Sequence, residues 1–218
     1  MIPTKICGIT NFSDAQCAVY HGASAIGFIF YNKSPRFVSV EKAKSISDQL
    51  PIDIARVGVF VNSQKNIIDR AIQIVPISMI QLHGDETPEF CNQFEIPVIK
   101  ALRVIDSESL SKINDFQVAA FLLDTFSDDS YGGTGKTFDW SVLEVDMKVP
   151  IILSGGLNPE NILDAIESVN PSALDINSGL ELAPGIKDHT KIKNLFSNII
   201  SVKPSGGRTN VFQFSKII

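Results

Sequence analysis

Pro150-Ile-Ile-Leu-Ser-Gly-Gly-Leu-Asn-Pro-Glu160 contains one whole structural unit. Its apolar, β-branched start reads as a buried strand over 150–155. Ser154, Gly155 and Gly156 turn the chain. Asn158-Pro159-Glu160 then offers a helix cap, a proline at the first helical position and an early acid. A strand leading through a glycine turn into a helix is one βα unit.

The same beat recurs on both sides of this stretch. Further strands are expected near 4–9, 25–30, 55–60, 78–84, 97–104, 119–125 and 173–178, with ends about 20–30 residues apart. Thr87-Pro88-Glu89 repeats the helix start, and Ser13 with Gln16 has the spacing of a capping box. Ile67, Ile68, Ala71 and Ile72 form an apolar stripe at helical spacing. Eight such units with no break in composition imply a single α/β domain, a (β/α)8 TIM barrel over residues 1–200. An open doubly wound sheet would usually have fewer strands and a dinucleotide loop after the first, which is absent. Loops 31–37 and 126–138 are the long ones, and chemistry in a barrel sits on loops at strand C-terminal ends. Residues 201–218 form a C-terminal extension in which Val211-Phe-Gln-Phe214 alternates like a short strand. Packing against the barrel floor and packing against a second subunit are both open for it.

Composition narrows the function. The chain has 218 residues, 44% hydrophobic and 20% charged, and a net charge of −5 that argues against a nucleic-acid partner. No run approaches the ~20 apolar residues of a membrane span. The N-terminus enters a strand without the basic and apolar segments of a signal peptide. Three cysteines without a CxxC pair favour neither disulfides nor zinc, so a cytoplasmic protein is expected. The glycosylation patterns Asn11-Phe-Ser13 and Asn32-Lys-Ser34 are read as chance.

Several strand ends carry residues with chemical capacity. Strand alternation puts Lys5 and Cys7 on one face, where an ammonium favours a thiolate over a thiol. Asp124 closes the apolar run Phe121-Leu-Leu-Asp124, and burial there would help it keep a proton. Ser154-Gly155-Gly156 and Asn177-Ser178-Gly179 follow strands seven and eight, the usual position of a barrel's phosphate cradle. Arg36, on the loop after strand two, suits a two-pronged grip on a carboxylate. His83 shares a strand face with Gln81 and either orients a ligand or is a satisfied buried imidazole. Asp175 shares a face with Asn177 and either meets sugar hydroxyls or ties a strand end. Tyr131-Gly-Gly-Thr-Gly-Lys-Thr-Phe-Asp-Trp140 lacks Walker spacing and reads better as a lid.

Taken together these motifs resemble the phosphoribosylanthranilate isomerase family. The resemblance rests on Lys5-Ile-Cys-Gly-Ile-Thr10, Ser34-Pro-Arg-Phe-Val38, Gln81-Leu-His-Gly-Asp85, Leu123-Asp124, Gly132-Gly-Thr-Gly-Lys-Thr-Phe-Asp-Trp140, Ser154-Gly-Gly-Leu-Asn-Pro-Glu160, Asp175-Ile-Asn-Ser-Gly-Leu-Glu181 and Pro184-Gly-Ile-Lys-Asp188. It implies an Amadori rearrangement in tryptophan biosynthesis, with Asp124 as general acid and Cys7 as general base. Arg36 would bind the anthranilate carboxylate, and His83 belongs to the expected substrate site. Gly155, Gly156, Asn177, Ser178 and Gly179 would hold the phosphate, and Asp175 the sugar. The only partner implied is a small-molecule substrate, with no metal or cofactor, in a monomer or homodimer. Asn177 stands where a small hydroxyl residue is often expected, a mild departure. The alternatives are an inactive barrel that binds a phosphorylated metabolite, or another sugar-phosphate isomerase or epimerase. Pure binding would need neither a thiolate nor a protonated carboxyl.

Overall fold

The structure, a computed structural model, describes residues 1–104, 113–125, 149–202 and 210–213. Eight strands close into a parallel barrel in sequence order, the TIM-barrel architecture expected: β1 (Thr4–Ile6), β2 (Ala25–Ile29), β3 (Ala55–Phe60), β4 (Met79–Leu82), β5 (Val98–Val104), β6 (Ala120–Thr125), β7 (Ile151–Leu153) and β8 (Ala173–Ile176). Closure comes from β1 pairing with β8, Lys5 beside Asp175. Each strand lies within the range expected for it. Around the described part run α1 (Phe12–His21), α2 (Val40–Ser47), α3 (Lys65–Ile74), α4 (Pro88–Cys91), α5 (Ile162–Val169) and α6 (His189–Ser201).

Local chemistry sets the helix starts, not always at the residue expected. Thr87 does cap α4, its hydroxyl accepting from Phe90 N–H. At α1 the cap is Asn11, whose side chain accepts from Asp14 N–H, rather than Ser13. Asn158 accepts from the N–H groups of Glu160 and Asn161 and makes a turn, so α5 begins only at Ile162. In α3 the apolar stripe buries Ile68 and Ala71, whereas Ile67 is half exposed because it lies on the edge of that face.

Strand parity then divides the core in two. Ile6, Phe28, Phe60, Ile80, Phe121, Leu123, Leu153 and Leu174 face outward and pack under the helices. The inward set includes Ala25, Ala55, Val57, Met79, Ile99, Ala120, Leu122, Ile152 and Ala173, all in the lower part of the barrel. Four of these are alanines, too small to fill a barrel interior that branched side chains usually occupy. Val211 and Phe212 of the C-terminal extension complete this inner cluster and are themselves buried. Of the two placements left open for the tail, the floor of its own barrel is the one observed. Where the short strand was expected, the described residues 210–213 form a turn, in which Gln213 N–H donates to Asn210 C=O at 3.0 Å. Phe214 and the glycine-rich lid at 131–140 lie outside the described residues.

The tail is therefore expected to stabilise the barrel without serving the opposite rim. Phe212→Ala should cost about 3 kcal/mol, a fall in Tm of roughly 6–12 °C, with kcat unchanged. Thermal denaturation beside a steady-state assay checks this, and an unaltered Tm would mean that the tail is only draped on the floor.

Candidate active site

Above the apolar floor, the inward positions turn polar. β1 presents Lys5 and, just past its end, Cys7; β4 presents Gln81 and then His83; β6 presents Asp124, one residue before its end; β8 presents Asp175 and then Asn177. These are the same parity positions as the alanines below, one or two steps further up. Together with Tyr31, Ser34, Arg36, Ser154, Gly155, Gly156 and Ser178, all of these but the wholly buried Lys5 line one cleft at the C-terminal rim. Every residue expected in the site borders this cleft except Gly179. A side chain at Gly179 would collide with the Leu157 carbonyl, so this glycine permits the close approach of two rim loops.

Lys5 is the centre of the polar layer. Its ammonium, wholly buried, donates to Asp175 Oδ1 at 2.9 Å and to Gln81 Oε1 at 2.9 Å, and it faces the Cys7 thiol. Burial alone would lower the lysine's pKa, but Asp175 and Cys7 outweigh it and raise it, so Lys5 is charged. Gly27 makes room on β2: a Cβ there would lie 2.8 Å from Cys7 Sγ and 2.9 Å from Lys5 Cε.

For Cys7 the expected influence of Lys5 is present but does not prevail. Burial pushes the thiol up, Lys5 and Lys187 pull it down, and Asp175 pushes it up again, leaving it raised. The thiolate expected from Lys5 alone is thus not the resting form at neutral pH; the sequence showed the cation but not the depth of burial. At Asp175 the strand tie is present, since one of its oxygens is held by Lys5 of the neighbouring strand, and the residue also borders the cleft, where a sugar hydroxyl was the other reading.

Asp124 is buried at the rim, and its Oδ2 lies 3.1 Å from His83 Nε2. His83 Nδ1 lies 2.8 Å from Gln81 Nε2. Both readings of His83 therefore meet in one residue: the imidazole has partners on both nitrogens and also borders the cleft.

Arg36 is where the structure adds most. Glu181 takes one edge of its guanidinium, with Nε 2.9 and 3.0 Å from the two carboxylate oxygens and Nη2 2.7 Å from Oε2. That leaves the Nη1–Nη2 edge to face a ligand. Lys187, buried, donates to Glu181 Oε1 at 3.1 Å and to the side-chain and backbone oxygens of Asn177 at 2.9 and 3.0 Å. Burial would raise the Glu181 pKa, but hydrogen bonds from Arg36 and the charge of Lys187 bring it below its ordinary value. A single carboxylate thus links the arginine to the loop after β8, and the amide of Asn177 is an anchor for that loop.

Glu181 and Lys187 were not singled out from the sequence. Both stand in motifs quoted above, but no local pattern says that Glu181 meets a residue 145 positions away. Among the described residues, no three His, Cys, Asp or Glu side chains group as a metal site would, and no helix is long and apolar enough to cross a membrane.

Comparison with known proteins agrees with this geometry. Residues 4–198 match the family model described as N-(5'phosphoribosyl)anthranilate (PRA) isomerase. The N-(5'-phosphoribosyl)anthranilate isomerase of Geobacter metallireducens is 47% identical over 194 residues, covering 88% of this chain and 96% of the relative. That of Pseudomonas fluorescens is 46% identical with 88% and 95% covered. The crystal structure of the Thermotoga maritima phosphoribosyl anthranilate isomerase superposes with a TM-score of 0.86 at 44% identity, covering 93% of this chain and all of that one. Another solved isomerase, 41% identical with a TM-score of 0.82, holds reduced 1-(o-carboxyphenylamino)-1-deoxyribulose 5-phosphate. A rim of buried acid, thiol and carboxylate-gripping arginine on this barrel, matched over nearly its whole length, places the chain in the N-(5'-phosphoribosyl)anthranilate isomerase family, isomerases of tryptophan biosynthesis.

Proposed function

We propose that Cys7 is the general base and Asp124 the general acid of an Amadori rearrangement of N-(5-phosphoribosyl)anthranilate. The observation that carries this reading is that the thiol and the carboxyl border one cleft, the thiol facing the Lys5 ammonium and the carboxyl 3.1 Å from His83 Nε2. Asp124 gives a proton to the furanose ring oxygen as the C1′–O bond breaks, and the nitrogen lone pair forms a C=N bond. The thiolate form of Cys7, reached when the thiol gives its proton to solvent, then removes the C2′ proton and returns to the thiol, and those electrons move through the imine to give an enolamine. Loss of the C2′ hydroxyl proton and gain of one at C1′ yields the ketose. The imine is itself the electron sink.

Lys5 supports the base by standing beside the sulfur when its proton leaves. The free edge of Arg36 is aimed to take the anthranilate carboxylate, with Glu181 holding the guanidinium in place. Backbone N–H groups around Gly155, Gly156 and Ser178 are the phosphate donors, at the rim position where barrels bind phosphate. Asp175 offers its remaining acceptor capacity to a sugar hydroxyl.

The test is loss of substrate fluorescence with freshly generated phosphoribosylanthranilate. Turnover is expected for this chain, and an inactive chain that still binds the reduced product would leave only the metabolite-binding alternative. Arg36→Ala is expected to raise KM by about 10–100-fold while kcat falls less, because truncation removes a charge-assisted contact worth about 1.5–3 kcal/mol. An unchanged KM would remove Arg36 from the substrate site.

A further inference from the structure

The polar layer holds a chain of hydrogen bonds whose direction is set at one end. Lys5 Nζ only donates, so the Gln81 atom at 2.9 Å from it is the carbonyl oxygen. This turns the Gln81 NH2 group toward His83 Nδ1, 2.8 Å away. An amide NH2 only donates, so Nδ1 must be the lone-pair nitrogen and the ring hydrogen must sit on Nε2. Nε2–H then donates across 3.1 Å to Asp124 Oδ2. Gln81 is almost completely buried, which keeps water from competing for either end of its amide.

We infer that Gln81 is a positioning residue that carries the donor polarity of the Lys5 ammonium through His83 to Asp124. Its consequence is a division of labour within one carboxyl group. Oδ2 is committed as the acceptor of His83 N–H, so the transferable proton is carried on Oδ1. When that proton leaves, the new carboxylate already has a donor on Oδ2 and needs no rearrangement to be stabilised. The opposite tautomer would set a lone pair against Oδ2 and oppose the charge that forms. The same ammonium faces the Cys7 thiol, so one buried cation orders both sides of the cleft. This inference rests on the reading of Asp124 as the general acid.

Long-range proton–nitrogen NMR of the full chain labelled with 15N-histidine tests it. The His83 signals are assigned by their loss in His83→Asn. Wild type is expected to show a single neutral tautomer, pyridine-type at Nδ1 and pyrrole-type at Nε2. An Nδ1–H tautomer or an imidazolium at neutral pH would overturn the inference without any variant. Gln81→Glu offers His83 only acceptors, so Nδ1 is expected to gain a hydrogen. kcat should then fall about 10–100-fold, the size of effect that orienting groups behind a reactive residue produce, with KM within twofold. Gln81→Leu should leave His83 as a mixture of tautomers, with a smaller loss of kcat. An unchanged tautomer in both variants, or a changed tautomer with wild-type kcat, would also overturn it. An active Asp124→Asn protein would instead sink the acid assignment, while the tautomer result would still stand on its own.

Discussion

Cys7→Ser is expected to lower kcat by roughly 10³-fold while leaving affinity for the reduced product analogue within a few-fold of wild type. The variant keeps the shape of the inner wall, since a hydroxyl fits where Gly27 leaves room for sulfur. It loses the chemistry, because an alcohol in this setting has no accessible anion to take the C2′ proton. Lys5, its ion pair with Asp175 and the substrate contacts all survive the change. The loss should therefore fall on kcat alone. A direct readout accompanies it: the ultraviolet absorbance of a thiolate, taken as wild type minus Cys7→Ser, should be absent at neutral pH and grow only above the ordinary cysteine range, near 8.5. The sign of the stability effect follows from the same shift. Burial lets the folded chain hold this proton more tightly than the unfolded chain. The thiol thus adds stability below the ordinary pKa that is lost as pH rises through the raised one. Asp175→Asn removes a charge that pushes the thiol up and should bring the absorbance in at lower pH. Wild-type turnover in Cys7→Ser would remove the thiol from the mechanism.

Asp124→Asn is expected to be as damaging, about 10²–10⁴-fold in kcat. Asparagine matches the carboxyl in size and can still accept from His83 through its carbonyl oxygen, so local geometry is retained. What it lacks is a proton to give to the ring oxygen. The ring-opening step should become limiting, and single-turnover traces should show slow decay of substrate fluorescence with no intermediate. Binding of the reduced product, whose sugar is already open, should change little. A variant within tenfold of wild type would mean that another group, or water, protonates the ring oxygen.

Much of this architecture was legible from alternation and spacing. Each strand forms within the range assigned to it, and parity puts Lys5 and Cys7 inside while Ile6 faces the helices. Helix starts were less legible, because several side chains near a boundary can cap it and only the backbone path decides. Asn11, not Ser13, has the extended geometry that lets its side chain reach Asp14 N–H. In the tail, the apolar–polar pattern that suggests a strand at Val211-Phe212-Gln213 belongs to a turn, because it is the alanine-lined floor that takes up Val211 and Phe212.

The site shows the same division. Cys7, Asp124, Arg36, His83, Asp175 and the glycine turns were candidates because each ends a strand or occupies a rim loop. Their partners were not visible. Lys5 meets Asp175 across 170 residues, His83 meets Asp124 across 41, and Arg36 meets Glu181 across 145. Alternation and turn chemistry are local, so the chain itself determined which residues stand on the inner face and at which rim. Pairing, burial and the direction of each hydrogen bond depend on closure of β1 against β8 and on the register around the ring. Tertiary structure therefore decided that the Cys7 proton is held more tightly than its cationic neighbour suggests, and that Arg36 shares its charge with Glu181 before any substrate arrives.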